Sequence, residues 1–130
     1  MKLDLQQNED YALLTPHASK LDSTVAPDLK SNIILLGNTL DTGGLIINLE
    51  NVEFADSSGL SALLLAFRLY RDSGRTLVLC SLHDRVKKLL DISQLTSSFI
   101  IRERLDEAIE LFSYYDDEGD DFEDEDSDGF

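Results

Sequence analysis

The chain has 130 residues, with 26 acidic side chains against 11 basic ones and a formal net charge of -15. That is the length of one domain with a single core. The acid excess argues against nucleic acid as a partner, because binding it needs a basic surface to neutralise phosphates. The longest unbroken apolar run, Ala62 to Phe67, is six residues, far short of a membrane span, so no direct membrane insertion is expected. The start, Met1-Lys2-Leu3-Asp4-Leu5-Gln6-Gln7, is too polar for a secretory signal, and one cysteine cannot form an internal disulfide; a reducing cytoplasm is the expected setting.

The charge is uneven. Residues 116–130 hold ten acids and no base, while residues 1–115 hold all eleven bases with sixteen acids. The expected division is a domain over 1–115 and an acidic, disordered tail over 116–130, whose ten acids face only Phe122 and Phe130. The tail acts at least as a solubilising appendage, and it could compete for a basic surface on a partner.

In chain order, Leu3 to Thr15 reads as an edge hairpin turning at Asn8-Glu9-Asp10, with Leu3, Leu5, Tyr11 and Leu13 on one parity. Pro16 is expected to interrupt any central strand. Asp22 to Thr24 offer oxygens to cap a following helix, and Pro27 suits its first turn. Val25, Leu29, Ile33, Leu36 and Leu40 form that helix's apolar stripe, and Asp41-Thr42-Gly43-Gly44 ends it in a turn. Leu45–Leu49 and Thr76–Leu82 are continuous apolar runs of the kind covered on both faces. Between them a helix runs from about Ser58 to Asp72 and stops at Ser73-Gly74. A further helix, about Asp84 to Asp91, buries Val86, Leu89 and Leu90 and turns Arg85, Lys87 and Lys88 outward as a solvated face. Phe99-Ile100-Ile101 is a last short strand, and a final helix capped with help from Asp106 presents Leu105, Ile109 and Phe112. The class is α/β: a mixed central sheet of about four to five strands with about four helices packed on it.

The stretch Ala55-Asp56-Ser57-Ser58-Gly59-Leu60 joins a buried strand to an amphipathic helix carrying Leu60, Leu63, Leu64, Phe67 and Tyr70. Two hydroxyls and a carboxylate thus sit where backbone N–H groups are unpaired and the helix dipole is positive, a place that favours a side-chain oxygen or an added phosphate. Gly59 has no side chain and can admit a close backbone approach. The plain alternative is that Ser57 and Ser58 cap the helix and do nothing more.

These residues carry a resemblance. Asp56-Ser57-Ser58-Gly59-Leu60 resembles the turn that marks STAS domains of the anti-sigma factor antagonist family. Leu21 to Leu29 resembles the family's earlier Leu-Asp segment, and Val78-Leu79-Cys80-Ser81-Leu82 with Val86 to Leu95 resembles its third segment, so the likeness covers roughly Leu3 to Tyr115. It implies a STAS-like single domain and a binding protein that is no enzyme and carries no cofactor. It also implies that Ser57 is the phospho-acceptor, with Asp56, Ser58, Gly59, Leu60, Asp22 and Thr24 on the partner-binding surface. The implied partners are an anti-sigma factor with serine kinase activity, bound while Ser57 is unphosphorylated, and a serine phosphatase that resets the switch. The family's Gly-x-Leu-Asp is Ser19-Lys20-Leu21-Asp22 here, so the turn glycine is missing, and Asp22 and Thr24 read equally well as an ordinary N-cap. The same fold also serves as a structural subunit, as in an ABC-type lipid transport complex, where the turn packs against the transporter and is never phosphorylated.

Other constellations carry little. His17 and His83 belong to no motif that would make a triad or zinc site, Gly43-Gly44 reads as a turn, and no phosphate-loop pattern occurs. Cys80 reads as a small buried residue. Asp124, Asp126, Asp128 and Gly129 match the opening of a calcium loop without its closing glutamate, so no metal site is expected.

Overall fold

The computed structural model describes residues 2–38 and 43–120, with side chains through residue 112. Leu40, the Asp41-Thr42 half of the expected turn, Phe122, Phe130 and the calcium-like aspartates lie outside the described residues.

The chain opens with strands β1 (Lys2–Gln7) and β2 (Ala12–His17), paired antiparallel. Their turn forms because Asn8 Oδ1 accepts the N–H groups of Asp10 (2.8 Å) and Tyr11 (2.9 Å), an Asx turn where the hairpin was expected. After β3 (Lys20–Leu21) come helix α1 (Ala26–Gly37), β4 (Gly44–Asn48), β5 (Phe54–Ala55) and helix α2 (Ser57–Asp72). Then follow β6 (Thr76–Cys80), α3 (Asp84–Ile92), β7 (Ile100–Arg102) and α4 (Leu105–Asp120). The main sheet is mixed, ordered β1-β2-β4-β6-β7, with every pair after the first parallel. The backbone of α4 continues past residue 115 to Asp120.

All five residues of β4 are buried, as a strand covered on both faces requires. Leu45 and Ile47 join Leu14, Leu77 and Leu79 under α1, α2 and α3, against Leu29, Ile33, Leu63, Val86 and Leu90. The alternate residues Leu13, Ile46, Val78 and Cys80 pack against Ala108 and Phe112 of α4. Truncating a fully buried Leu or Ile at this centre costs about 2–5 kcal/mol.

Several expectations need correction. Pro16 lies inside β2, opposite Leu3, because the parallel partner β4 stops opposite Leu14 and leaves a neighbour on one side only. The single parity of Leu3, Leu5, Tyr11 and Leu13 does not hold: Leu3 pairs with Pro16 and Leu5 with Leu14, so they share a face with Leu14 and not with Leu13. Gly44 is no turn residue. It begins β4, where a Cβ would collide with the Phe112 ring and lie 2.6 Å from the Thr76 carbonyl oxygen. The α1 stripe holds at Leu29, Ile33 and Leu36, but the N-cap residue is Val25, with no side-chain cap bond. At α4, Asp106 accepts the Glu107 N–H, and it is Glu107 that reaches back to the N–H groups of Glu103 (3.2 Å) and Arg104 (3.3 Å).

Candidate functional site

Two strands that the sequence pattern does not announce build the site. β3 and β5 pair in parallel, Lys20 opposite Phe54 and Leu21 opposite Ala55, as a separate two-stranded sheet. Because they are parallel, the chain leaves both at the same end. One exit becomes the Asp22–Val25 loop that starts α1, and the other becomes the Asp56 turn that starts α2. Arg85 of α3 lies with its guanidinium 4.9 Å from the centre of the Phe54 ring, so this part of the expected solvated face braces β5.

At the second exit Asp56 is the N-cap, with φ -107° and ψ -167°. Its Oδ1 accepts the N–H groups of Ser58 (2.9 Å) and Gly59 (3.2 Å), and its carbonyl accepts that of Leu60 (2.9 Å). Its own N–H donates to the Leu21 carbonyl at 3.2 Å, tying the two exits together. The capping role is therefore taken by the carboxylate and not by either serine. Ser57, the first helical residue, is exposed, and Ser58 is half-buried. Among the described residues, neither hydroxyl has a hydrogen-bond partner.

Gly59 is required for a steric reason. A Cβ there would collide with the Leu21 carbonyl oxygen and sit 2.8 Å from the Leu21 Cβ. The first turn of α2 thus lies directly on β3, the close approach that a missing side chain permits. Leu60 is half-buried and packs against the main core, so much of it is not on the outer face.

On the first exit, Asp22 Oδ1 accepts both the hydroxyl (2.6 Å) and the N–H (3.0 Å) of Thr24. These bonds, the hydroxyl first, hold the Asp22 carboxyl below the usual carboxylate range. The Asp22 carbonyl accepts the N–H groups of Val25 and Ala26. Asp22 and Thr24 shape the loop that leads into α1; they do not cap it.

Between the two helix starts lies a shallow depression lined by Ser23, Ala26, Pro27 and Lys30 from the α1 side and by Ser57, Ser58 and Ser61 from α2. Lys30 and Ser61 were not singled out in the sequence, and Ser23 figured only as one of the cap oxygens offered by Asp22 to Thr24. Helical spacing offered a signal, since Ser61 is four residues after Ser57 and Lys30 four after Ala26. What the spacing lacks is the approach of α1 to α2.

The two histidines are engaged elsewhere. His17 pairs with Asp4 (2.6 Å) and contacts Asn51 (3.2 Å), while His83 Nε2 lies 2.7 Å from the Glu50 carbonyl. Cys80 is buried in the sheet, and burial pushes its thiol up. A larger hollow between α3, β7 and α4, lined by Leu90, Phe99, Ile101 and Leu111 among others, holds none of the expected site residues. No helix among the described residues is long and apolar enough to cross a membrane.

A family model described as the STAS domain matches residues 2–108. The chain is 30% identical over 95 residues to the anti-sigma-B factor antagonist of Bacillus subtilis (strain 168), covering 73% of this chain and 84% of that protein. The chain belongs to the STAS domain family, with the anti-sigma factor antagonists. It is also 35% identical over 51 residues to the anti-sigma F factor antagonist of Paenibacillus polymyxa, a shorter match spanning 39% of this chain and 44% of that protein. Among solved structures, an anti-sigma-factor antagonist (STAS) domain protein from Planctomyces limnophilus superposes with a TM-score of 0.77 at 16% identity, covering 85% of this chain and 97% of that one. The Bacillus protein SpoIIAA in its phosphorylated form gives 0.68 at 19% identity, covering 85% and 98%. At these identities the structural likeness speaks for the fold, and the mixed five-stranded sheet with four helices is the STAS arrangement.

Proposed function

We propose that this chain is a phosphorylation-switched binding module. With Ser57 unmodified, the face made by the Asp56–Leu60 turn and the Asp22–Thr24 loop docks on an anti-sigma factor that is also a serine kinase, in the cytoplasm. Phosphorylation of Ser57 by that kinase ends the contact, and a serine phosphatase restores it. The chain is the substrate of this chemistry and does not catalyse it. Residues 116–130 are an acidic appendage to the switch domain.

One observation carries the reading. Asp56 occupies the cap, so the Ser57 hydroxyl is exposed and serves no bond that would explain it. A modification there can enter without breaking the helix start. It adds about -1.5 to -2 charges beside the Asp56 carboxylate. A partner fitted to a neutral serine then meets repulsion and desolvation; a hundredfold loss of affinity corresponds to about 2.7 kcal/mol. Family membership, and a relative that has been solved in a phosphorylated form, support the reading.

The test is mass spectrometry after incubation with ATP and an anti-sigma factor kinase from the same genome. A single phosphate on Ser57 is expected. Phosphate on another residue would overturn the assignment, and no phosphate together with co-purification of a transporter permease would favour a structural subunit.

A further inference from the structure

We propose that Lys30 is the counter-charge, within the same chain, for a phosphate on Ser57; this rests on the reading that Ser57 is the modified residue. At many helix starts an anion is held by backbone N–H groups alone. Here that route is largely closed. Asp56 Oδ1 already takes the N–H groups of Ser58 and Gly59, and the Asp56 carbonyl takes that of Leu60. A phosphate on Ser57 could claim the first two only by displacing the cap. Of the first-turn donors that leaves the N–H of Ser57 itself, and any further neutralisation falls to a side chain.

Among the described residues lining the depression beside Ser57, Lys30 is the one with a charge. It stands in the second turn of α1, half-buried, and makes no ion pair among the described residues. The other charged residues on the segments that meet at the two helix starts are Lys20 and Asp22 around β3, Asp28 on α1 and Asp56 at the α2 cap. The two carboxylates at the helix starts are engaged locally, Asp22 with Thr24 and Asp56 with the helix N–H groups. A flexible four-carbon stem anchored one side of the depression away can bring its ammonium to a phosphate on the other. The pair holds the phosphate as a dianion near neutral pH and draws it over the α1 side of the docking face. The modification then alters the surface shared by both helix starts, beyond the serine alone.

The experiment installs phosphoserine at position 57 during synthesis, so no kinase is needed, and follows the phosphate by phosphorus NMR as pH is varied. A free phosphoserine loses its second proton at about pH 6. A nearby cation favours the dianion and lowers that midpoint. Replacing Lys30→Met keeps the apolar stem and should raise the midpoint by about half a pH unit or more. Lys30→Arg should leave it near the wild-type value, as should Lys2→Met on the distant edge strand. A Lys30→Met midpoint equal to wild type overturns the inference. Should that variant fold poorly, the side-chain nitrogen resonance of Lys30 in the unsubstituted chain decides instead: it should move between the serine and phosphoserine forms, and a resonance that stays put overturns the pairing. Failure of the kinase to modify Ser57 would sink the switch reading without touching these midpoints, whereas unchanged midpoints on a chain that the kinase does modify would sink only the role of Lys30.

Discussion

The starts of α1 and α2 lie side by side and are built in opposite ways. At α2 a carboxylate reaches forward to two helix N–H groups, and the residues after it are spared that duty. At α1 the carboxylate of Asp22 is spent inside its own loop on Thr24, and the helix begins at Ala26 after Val25, with no side-chain cap and Pro27 in the first turn. Proline costs little there because its missing N–H would lack a helical partner anyway. The contrast shows how a hydroxyl becomes available. Ser57 is free at the mouth of α2 because its neighbour does the structural work, whereas Asp22 and Thr24 ahead of α1 are consumed in shaping a turn.

The largest way to break this comparison is at Gly59. A Gly59→Ala methyl would meet the Leu21 carbonyl, a backbone atom fixed by the β3–β5 pairing. The first turn of α2 must then lift off β3, with an expected loss of about 3 kcal/mol or more in chemical denaturation. Next is the cap. Asp56→Ala should cost about 1 kcal/mol, and Asp56→Ser should recover most of it, since serine caps nearly as well. Ser57→Ala should fall within about 0.5 kcal/mol of wild type, as an exposed residue outside the cap does; a loss as large as that of Asp56→Ala would mean that the serine shares the cap after all. The smallest effect concerns Asp22. Its carboxyl is held below the usual range when folded, so its contribution is complete above the unfolded value of about 3.9. That contribution is lost as pH falls through the lower folded value. Carbon NMR should show the Asp22 carboxyl titrating below the ordinary aspartate midpoint, and Thr24→Val should bring it back up.

Much of this was legible in the sequence because burial imposes repeating patterns. The runs around Ile46 and Val78 read as two-sided strands, and the stripe from Leu29 to Leu36 reads as a helix face, since each needs several apolar residues in register. β3 and β5 escaped notice because two residues have no period. Their pairing decides the site nonetheless, by fixing where β5 ends and therefore which of Asp56, Ser57 and Ser58 stands at the cap. All three residue types are good caps, so the local sequence alone does not choose among them. Pro16 misled for a related reason: proline excludes a central strand only where both edges are paired, and β2 is paired on one side at that point. Lys30 was hidden because its meaning depends on the neighbouring helix. Arg85 is exposed as expected, and its contact with the Phe54 ring is the part that no spacing announces.

The most direct test of the account compares the affinity of the anti-sigma factor kinase for the chain with serine at position 57 and with phosphoserine there, by calorimetry at fixed ionic strength. The account predicts at least about a hundredfold weaker binding to the phosphoserine form, equivalent to about 2.7 kcal/mol, with Ser57→Ala binding as tightly as the unmodified chain. Equal affinity for the two forms would contradict it.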